Sequence, residues 1–410
     1  MKNKGSTHVV FAWELGSGYG HVAGFRPLVK AFLQQGYRVS VVSRYLHTTK
    51  LVLGDLDCAI FQAPLFSDKS QGSRKTFTYP DILLGFGYHN LASLTQTLEP
   101  WCNLIRLLDP NLVVIDHGPT ALLACRCEDT KYTTLGTGFL IPPNISPSPV
   151  YVGMQGTNGI EQEESERLVL NTINEALISK GKAKLKRFCD LFYPKEHLLA
   201  TLPELDHYPT RTGSHYFGPR FDISMGMVTT WPKTPDVSAP KVFAYVKEKS
   251  VGFTALHQAL LSLPFPVIMH IPDASEGVIE RSKHAKNLIL HTSPVSIVHI
   301  QQEAGLIICN GGHGVVSSSL IAGVRLLLLP NQLEQNILTL RLTEQRLAMA
   351  LTKEVRSKAT PEQYFQVISA SLTNNILEKN VRMFKEKYQE FSPLTQLEQF
   401  LNICEGILQE

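Results

Sequence analysis

Three short stretches of this 410-residue chain carry residue types suited to chemistry. Gly16-Ser17-Gly18-Tyr19-Gly20-His21 sets an imidazole directly behind a glycine-rich turn. Leu112-Val113-Val114-Ile115 ends on Asp116, and Asn310-Gly311-Gly312-His313-Gly314 places three glycines within four residues, with Glu334-Gln335 following downstream. Histidine titrates near neutrality and suits a general base, and a carboxylate beside it can fix its tautomer and stabilise its protonated form. His117, next to Asp116, is a rival base. A glycine turn entering a helix presents backbone N–H groups at a positive helix end, which suits a phosphate or diphosphate. The Glu334-Gln335 pair, read in a polar loop over 330–336, offers hydrogen bonds to sugar hydroxyls.

The elements that must carry these residues follow from apolar patterning. Val9–Trp13, the glycine turn, a helical stripe through Leu28, Val29 and Phe32, and Val39–Val42 together read as a parallel βαβ unit. Leu91, Leu94, Leu98, Trp101, Ile105 and Leu108 recur at helical spacing, with a kink expected at Pro100. The run Leu112–Ile115 is a buried strand, so Asp116 falls at its carboxyl end, and a helix starts near Pro119. A further helix spans about 160–181. The segment 202–240 is rich in Pro, Gly, Thr and Ser and reads as a domain junction. Strand signals restart at Val242–Val246, Val267–His270, Leu288–Leu290, Leu306–Cys309 and Leu326–Leu329, and Thr360-Pro361-Glu362-Gln363 is a capping-box helix start. The whole is an α/β chain of two doubly wound units, whose ligands are expected between the carboxyl ends of their strands.

Composition narrows the function class. Lys plus Arg is 39 and Asp plus Glu 36, a balance unlike that of a dedicated nucleic-acid binder. No apolar run approaches the roughly 20 residues of a membrane span. The seven cysteines are scattered without paired spacing, so reduced thiols, a cytoplasmic setting, no structural metal and no cofactor are expected. The first turn reads G-x-G-x-G-H rather than G-x-G-x-x-G, and the second strand ends at Ser43-Arg44 without an acidic residue. An NADP-linked enzyme, with Arg44 on the 2′-phosphate, remains an alternative.

Taken together, the motifs resemble family-1 glycosyltransferases of the GT-B fold, closest to the bacterial nucleotide-diphospho-sugar-binding type. Gly20-His21-Val22 with Arg26-Pro27-Leu28 resembles the family's opening, and Asp116 its mid-domain aspartate. Asn310-Gly311-Gly312-His313-Gly314 through Gly323-Val324 and Pro330 resembles the donor signature H-G-G-x-G-[ST]-x-x-E-A-L-x-x-G-V-P, with Glu334-Gln335 as its terminal D-Q pair. Pro294-Val295 resembles the segment whose backbone meets the nucleobase. The chain departs from the signature at Asn310 for His, Val315 for Ser or Thr, Ser318 for the ribose-binding Glu and Arg325 for Pro.

The resemblance implies two Rossmann-like domains facing across a cleft: residues 1–215 for the acceptor, a linker at 216–240, 241–390 for the donor, and a helix at 391–410 placed to pack back on the first domain. It implies inverting, metal-independent transfer from a UDP- or dTDP-linked sugar to a hydroxyl of a small molecule or lipid, with closure about 202–240. His21 would be the base, oriented by Asp116. Donor contacts would come from Pro294, Val295, Asn310, Gly311, Gly312, His313, Gly314, Val315, Ser318, Glu334 and Gln335. Acceptor contacts would come from loops near 62–90 and 139–160, with Gly18, Phe86, Tyr88 and Phe139 foremost among an aromatic set that includes Phe77, Tyr79 and Tyr151. The basic stretch Lys180–Arg187 could touch an anionic membrane. The departures leave open a non-catalytic sugar-nucleotide or glycan binder.

Overall fold

The structure is a computed structural model that describes residues 6–66, 75–154, 159–221, 226–234, 236 and 238–410. The chain divides into two compact units, residues 1–220 with 394–410, and residues 221–393.

The first unit holds a six-stranded sheet of β1 (His8–Trp13), β2 (Arg38–Ser43), β3 (Ala59–Gln62), β4 (Leu112–Asp116), β5 (Tyr132–Gly136) and β6 (His197–Leu199). Every pairing is parallel and the order is β3-β2-β1-β4-β5-β6. The central strands read as unbroken apolar runs because helices cover both sheet faces, as a parallel sheet requires. Phe11 of β1 packs on Phe25 and Phe32 of helix Gly20–Gln34, with ring centroids 5.1 and 6.1 Å away. Helix Leu91–Leu108 contains Pro100 without interruption and buries Leu94, Leu98, Trp101, Ile105 and Leu108. Each such side chain contributes about 1.5–3 kcal/mol of transfer free energy. The last helix, Pro393–Gln409, returns to this unit: Phe400 meets Phe32 at 6.1 Å, and Gln396 donates to the Phe217 carbonyl at 2.9 Å.

The second unit repeats the plan with β7 (Lys241–Tyr245), β8 (Val267–His270), β9 (Leu288–His291), β10 (Ala304–Cys309), β11 (Arg325–Leu328) and β12 (Met349–Ala350). The order β12-β11-β10-β7-β8-β9 is the same winding as the first sheet, numbered from its own first strand. Val242, Ala244, Leu306, Ile308 and Leu327 form one core with Leu256, Leu260, Tyr364 and Ile368 of the covering helices. In each sheet the winding reverses between the first and fourth strands, β1/β4 and β7/β10. The crevice at the carboxyl end of such a pair is where open α/β sheets bind ligands.

Candidate active site

His21 is the second residue of helix Gly20–Gln34, and Asp116 ends β4 in register with Trp13 at the end of β1. The two side chains therefore meet across the first reversal point, with His21 Nδ1 3.3 Å from Asp116 Oδ2. The imidazole stacks on Trp13, ring centroids 4.9 Å apart and 20° between planes. Gly16 is required here. Its φ is +90°, and a Cβ on it would lie 2.8 Å from His21 Nε2 and 3.2 Å from His117 Nδ1.

Asp116 is fully buried. Burial alone would push its carboxyl up, but the charges of Arg220 and His21 outweigh it and hold the group well below the usual carboxylate range. Arg220 Nη2 donates to the same oxygen, Oδ2, at 2.7 Å. Sequence reasoning missed Arg220, which lies in an irregular stretch with no periodicity to flag it.

His117, the rival base, has its ring centroid 6.0 Å from that of His21. It is buried, and burial followed by the nearby His21 charge lowers its pKa to about 3. Its left-handed backbone, φ 46°, turns its carbonyl to accept from Leu15 N at 2.8 Å, so its work is to shape the turn. The space behind it, lined by Tyr79, Ile115, Gly118, Leu140 and Phe192, measures about 10 Å³, room for one water and not for a sugar.

Glu14 also escaped notice, because a charged residue just past a strand gives no sequence signal. It is fully buried, and Oε2 accepts from Thr120 N at 2.8 Å and Ala121 N at 3.4 Å at the start of helix Pro119–Cys127. Burial outweighs these hydrogen bonds and raises its pKa to about 7. Arg44, the residue considered for a 2′-phosphate, instead donates to the Glu14 carbonyl at 2.8 Å.

The expected acceptor residues divide. Gly18 is half-buried with open space where a Cβ would stand, and Phe86 is half-buried. Tyr88 and Phe139 are core instead. Tyr88 has no exposed surface and its hydroxyl pairs with Thr120 Oγ1 at 2.9 Å, while Phe139 stacks on Tyr151 at 5.2 Å. Tyr79 and Tyr151 are buried as well. Residues 67–74 and 155–158 of the two expected acceptor loops, and 222–225, 235 and 237 of the expected linker, lie outside the described residues.

In the second unit β10 ends at Cys309, and helix His313–Ala322 begins after a turn in which Gly311 takes φ 82°. The first amides of such a helix have no intrahelical acceptor and point outward at its positive end. Asn310 is half-buried, and its Nδ2 donates to the Leu329 carbonyl at 2.9 Å, stapling the ends of β10 and β11. Ser318 is buried, donates to the Val315 carbonyl at 3.2 Å and accepts from Gln301 Nε2 at 2.8 Å, so its hydroxyl is spent inside the protein. Val315 is half-buried and His313 is the first helical residue.

The pair Glu334-Gln335 stands in the first turn of helix Leu333–Glu344, not in a loop. Gln335 Oε1 accepts from Asn331 N at 2.9 Å. The Pro294 carbonyl accepts from Met227 N at 2.9 Å, the Met227 carbonyl accepts from Ser296 N at 2.9 Å, and Val295 is buried. Beneath the edge lies Arg356, fully buried and, among the described residues, without a carboxylate partner. It donates to the Pro330 carbonyl, to Asn331 Oδ1 at 3.0 Å and to the Val251 carbonyl at 3.1 Å, binding the loops after β7 and β11 together.

Among the described residues no group of three or more His, Cys, Asp or Glu could hold a metal ion, and no helix is long and apolar enough to cross a membrane. In the basic stretch, Lys180 pairs with Glu99, Lys182 with Asp129 and Arg187 with Asp190.

No family model matches the chain, and no curated protein matches its sequence. Solved glycosyltransferases share its fold. Glycosyltransferase VinC in complex with dTDP aligns over 98% of this chain and 100% of its own, with a TM-score of 0.67 and 13% identity. Spinosyn rhamnosyltransferase SpnG complexed with thymidine diphosphate aligns over 97% and 100%, at 0.68 and 14%. SsfS6, a Streptomyces sp. SF2575 glycosyltransferase, aligns over 96% and 99%, at 0.62 and 14%. The chain therefore has the two-domain, two-sheet GT-B architecture of these enzymes.

Proposed function

We infer that this protein transfers a glycosyl group from a nucleotide diphospho-sugar to a hydroxyl of an acceptor, with inversion and without a metal. The observation that carries the reading is the His21–Asp116 contact of 3.3 Å at the first sheet's reversal point. Asp116 faces Nδ1, which fixes the proton there and leaves Nε2 as the base. Nε2 takes the acceptor's hydroxyl proton as that oxygen bonds to the anomeric carbon. The bond from that carbon to the diphosphate oxygen breaks on the opposite face, which inverts the centre. The electron pair leaves with the diphosphate, whose charge the amides of Gly311 to Gly314, in the turn and at the start of helix His313–Ala322, stabilise.

The first unit is read as the acceptor domain and the second as the donor domain. The complexes of VinC and SpnG with thymidine diphosphate support a dTDP- or UDP-linked donor. The complex of SpnG with spinosyn aglycone supports a small-molecule acceptor. Seven unpaired cysteines fit the reducing cytoplasm.

The test is transfer from a panel of dTDP- and UDP-sugars to hydroxylated aromatic, apolar and lipid acceptors, followed by the same assay on His21→Ala. Removal of a general base lowers kcat by about 10²–10⁴-fold, and undiminished transfer in the variant rejects the mechanism. A non-catalytic nucleotide-sugar binder is the second reading, favoured by the internal engagement of Asn310 and Ser318. It requires nucleotide binding by calorimetry with no turnover across that panel.

A further inference from the structure

We propose that Arg220 is a positioning residue of this site: it shares the Asp116 carboxylate with His21 and thereby limits how tightly the imidazole holds a proton. The proposal deepens the glycosyl-transfer reading and rests on it.

The geometry is that of a three-member cluster on one oxygen. Asp116 Oδ2 lies 2.7 Å from Arg220 Nη2 and 3.3 Å from His21 Nδ1, while Oδ1 is buried without a partner. The guanidinium is built into the unit. It lies over the Phe25 ring at 5.8 Å, and a Cβ at position 24 would sit 3.2 Å from Nη1, so Gly24 leaves the space it occupies. Its Nε and Nη1 are buried without partners, and with the side chain 11% exposed solvent screens the cation little.

The remaining charged or titratable neighbours are few. The His117 ring is 6.0 Å from His21, and the Arg44 guanidinium and the Glu14 carboxyl lie around the same turn. Burial keeps His117 uncharged near neutrality, so Arg220 is the permanent cation that answers Asp116 directly. A carboxylate paired with histidine alone favours imidazolium, and a base that holds its proton too firmly is not regenerated. A carboxylate already neutralised by arginine orients the ring with less of that penalty. Arg220 is also the last residue before the second unit begins at Phe221, so the chain leaves the first unit from a side chain fixed to the site.

The experiment is a nitrogen-15 NMR titration of the His21 ring in the full chain, assigned by loss of the signal in His21→Gln. In Arg220→Gln the midpoint moves up by about one pH unit or more relative to wild type. In Arg220→Lys, which keeps the charge, it stays within about half a unit. Gly24→Ala, a change a helix tolerates, presses on the guanidinium and gives an upward shift in between. An unchanged midpoint in both Arg220→Gln and Gly24→Ala overturns the proposal. Should Arg220→Gln fail to fold, Gly24→Ala decides alone. The titration needs no substrate, so inactivity of the wild type toward every nucleotide sugar counts against the transfer reading, not against this one.

Discussion

Glu14 gives the sharpest quantitative expectation. Its carboxyl is completely buried, with Oε1 unpartnered and Oε2 held by two helix amides. Burial raises its pKa from 4.5 to about 7. The folded chain thus binds a proton more tightly than the unfolded chain, and stability falls as pH rises from about 4.5 through 7. At about 1.4 kcal/mol per unit, the loss is under about 1 kcal/mol at pH 5 and about 3 kcal/mol at pH 8. Glu14→Gln keeps the shape and the acceptor oxygen but cannot ionise. It should match wild type at pH 5 to within about 1 kcal/mol and exceed it by about 3 kcal/mol at pH 8.

Urea denaturation read by Trp13 and Trp101, in a Trp231→Phe background, confines the measurement to the first unit. The tyrosines that feel Glu14, Tyr79 and Tyr88, are driven above 10 by burial and do not titrate in this window. An equal stability difference at the two pH values would refute the reasoning, since it would mean that Glu14 does not carry the proton.

Two further outcomes follow from close contacts. Gly16→Ala puts a methyl against His21 Nε2 and strains a φ of +90°. It should cost about 1–2 kcal/mol of first-unit stability and lower kcat at least tenfold with little change in donor affinity, measured by melting and steady-state kinetics. Arg356→Lys retains the buried charge but not the fork that spans three acceptors. The Trp231 transition should fall by about 2–3 kcal/mol, and nucleotide affinity by calorimetry should weaken as the loops after β7 and β11 part.

The central strands and the ends that carry His21, Asp116 and Gly311 were legible because buried parallel strands are plain apolar runs. Two strands of the first unit were not. Ala59–Gln62 is half-exposed and only four residues long, and Tyr132–Gly136 hides behind Thr133 and Thr134, whose hydroxyls bond to the Glu196 and Phe192 carbonyls. Aromatic residues misled in the opposite sense, since Tyr88 and Phe139 are as well suited to a core as to a ligand. Arg220 and Glu14 were beyond reach for a different reason. Each acquires its significance from burial beside residues about a hundred positions away, and no local pattern encodes that.

The closing helix Pro393–Gln409 sets an order on synthesis. Phe400 is packed against Phe32, and Lys131 donates to the Ile407 carbonyl at 3.0 Å, so the first unit is sewn from segments on either side of 221–393. A growing polypeptide can complete the uninterrupted stretch 221–393 as soon as it leaves the ribosome. The portion that emerged earlier must wait, one hydrophobic flank uncovered, for helix Pro393–Gln409 to follow.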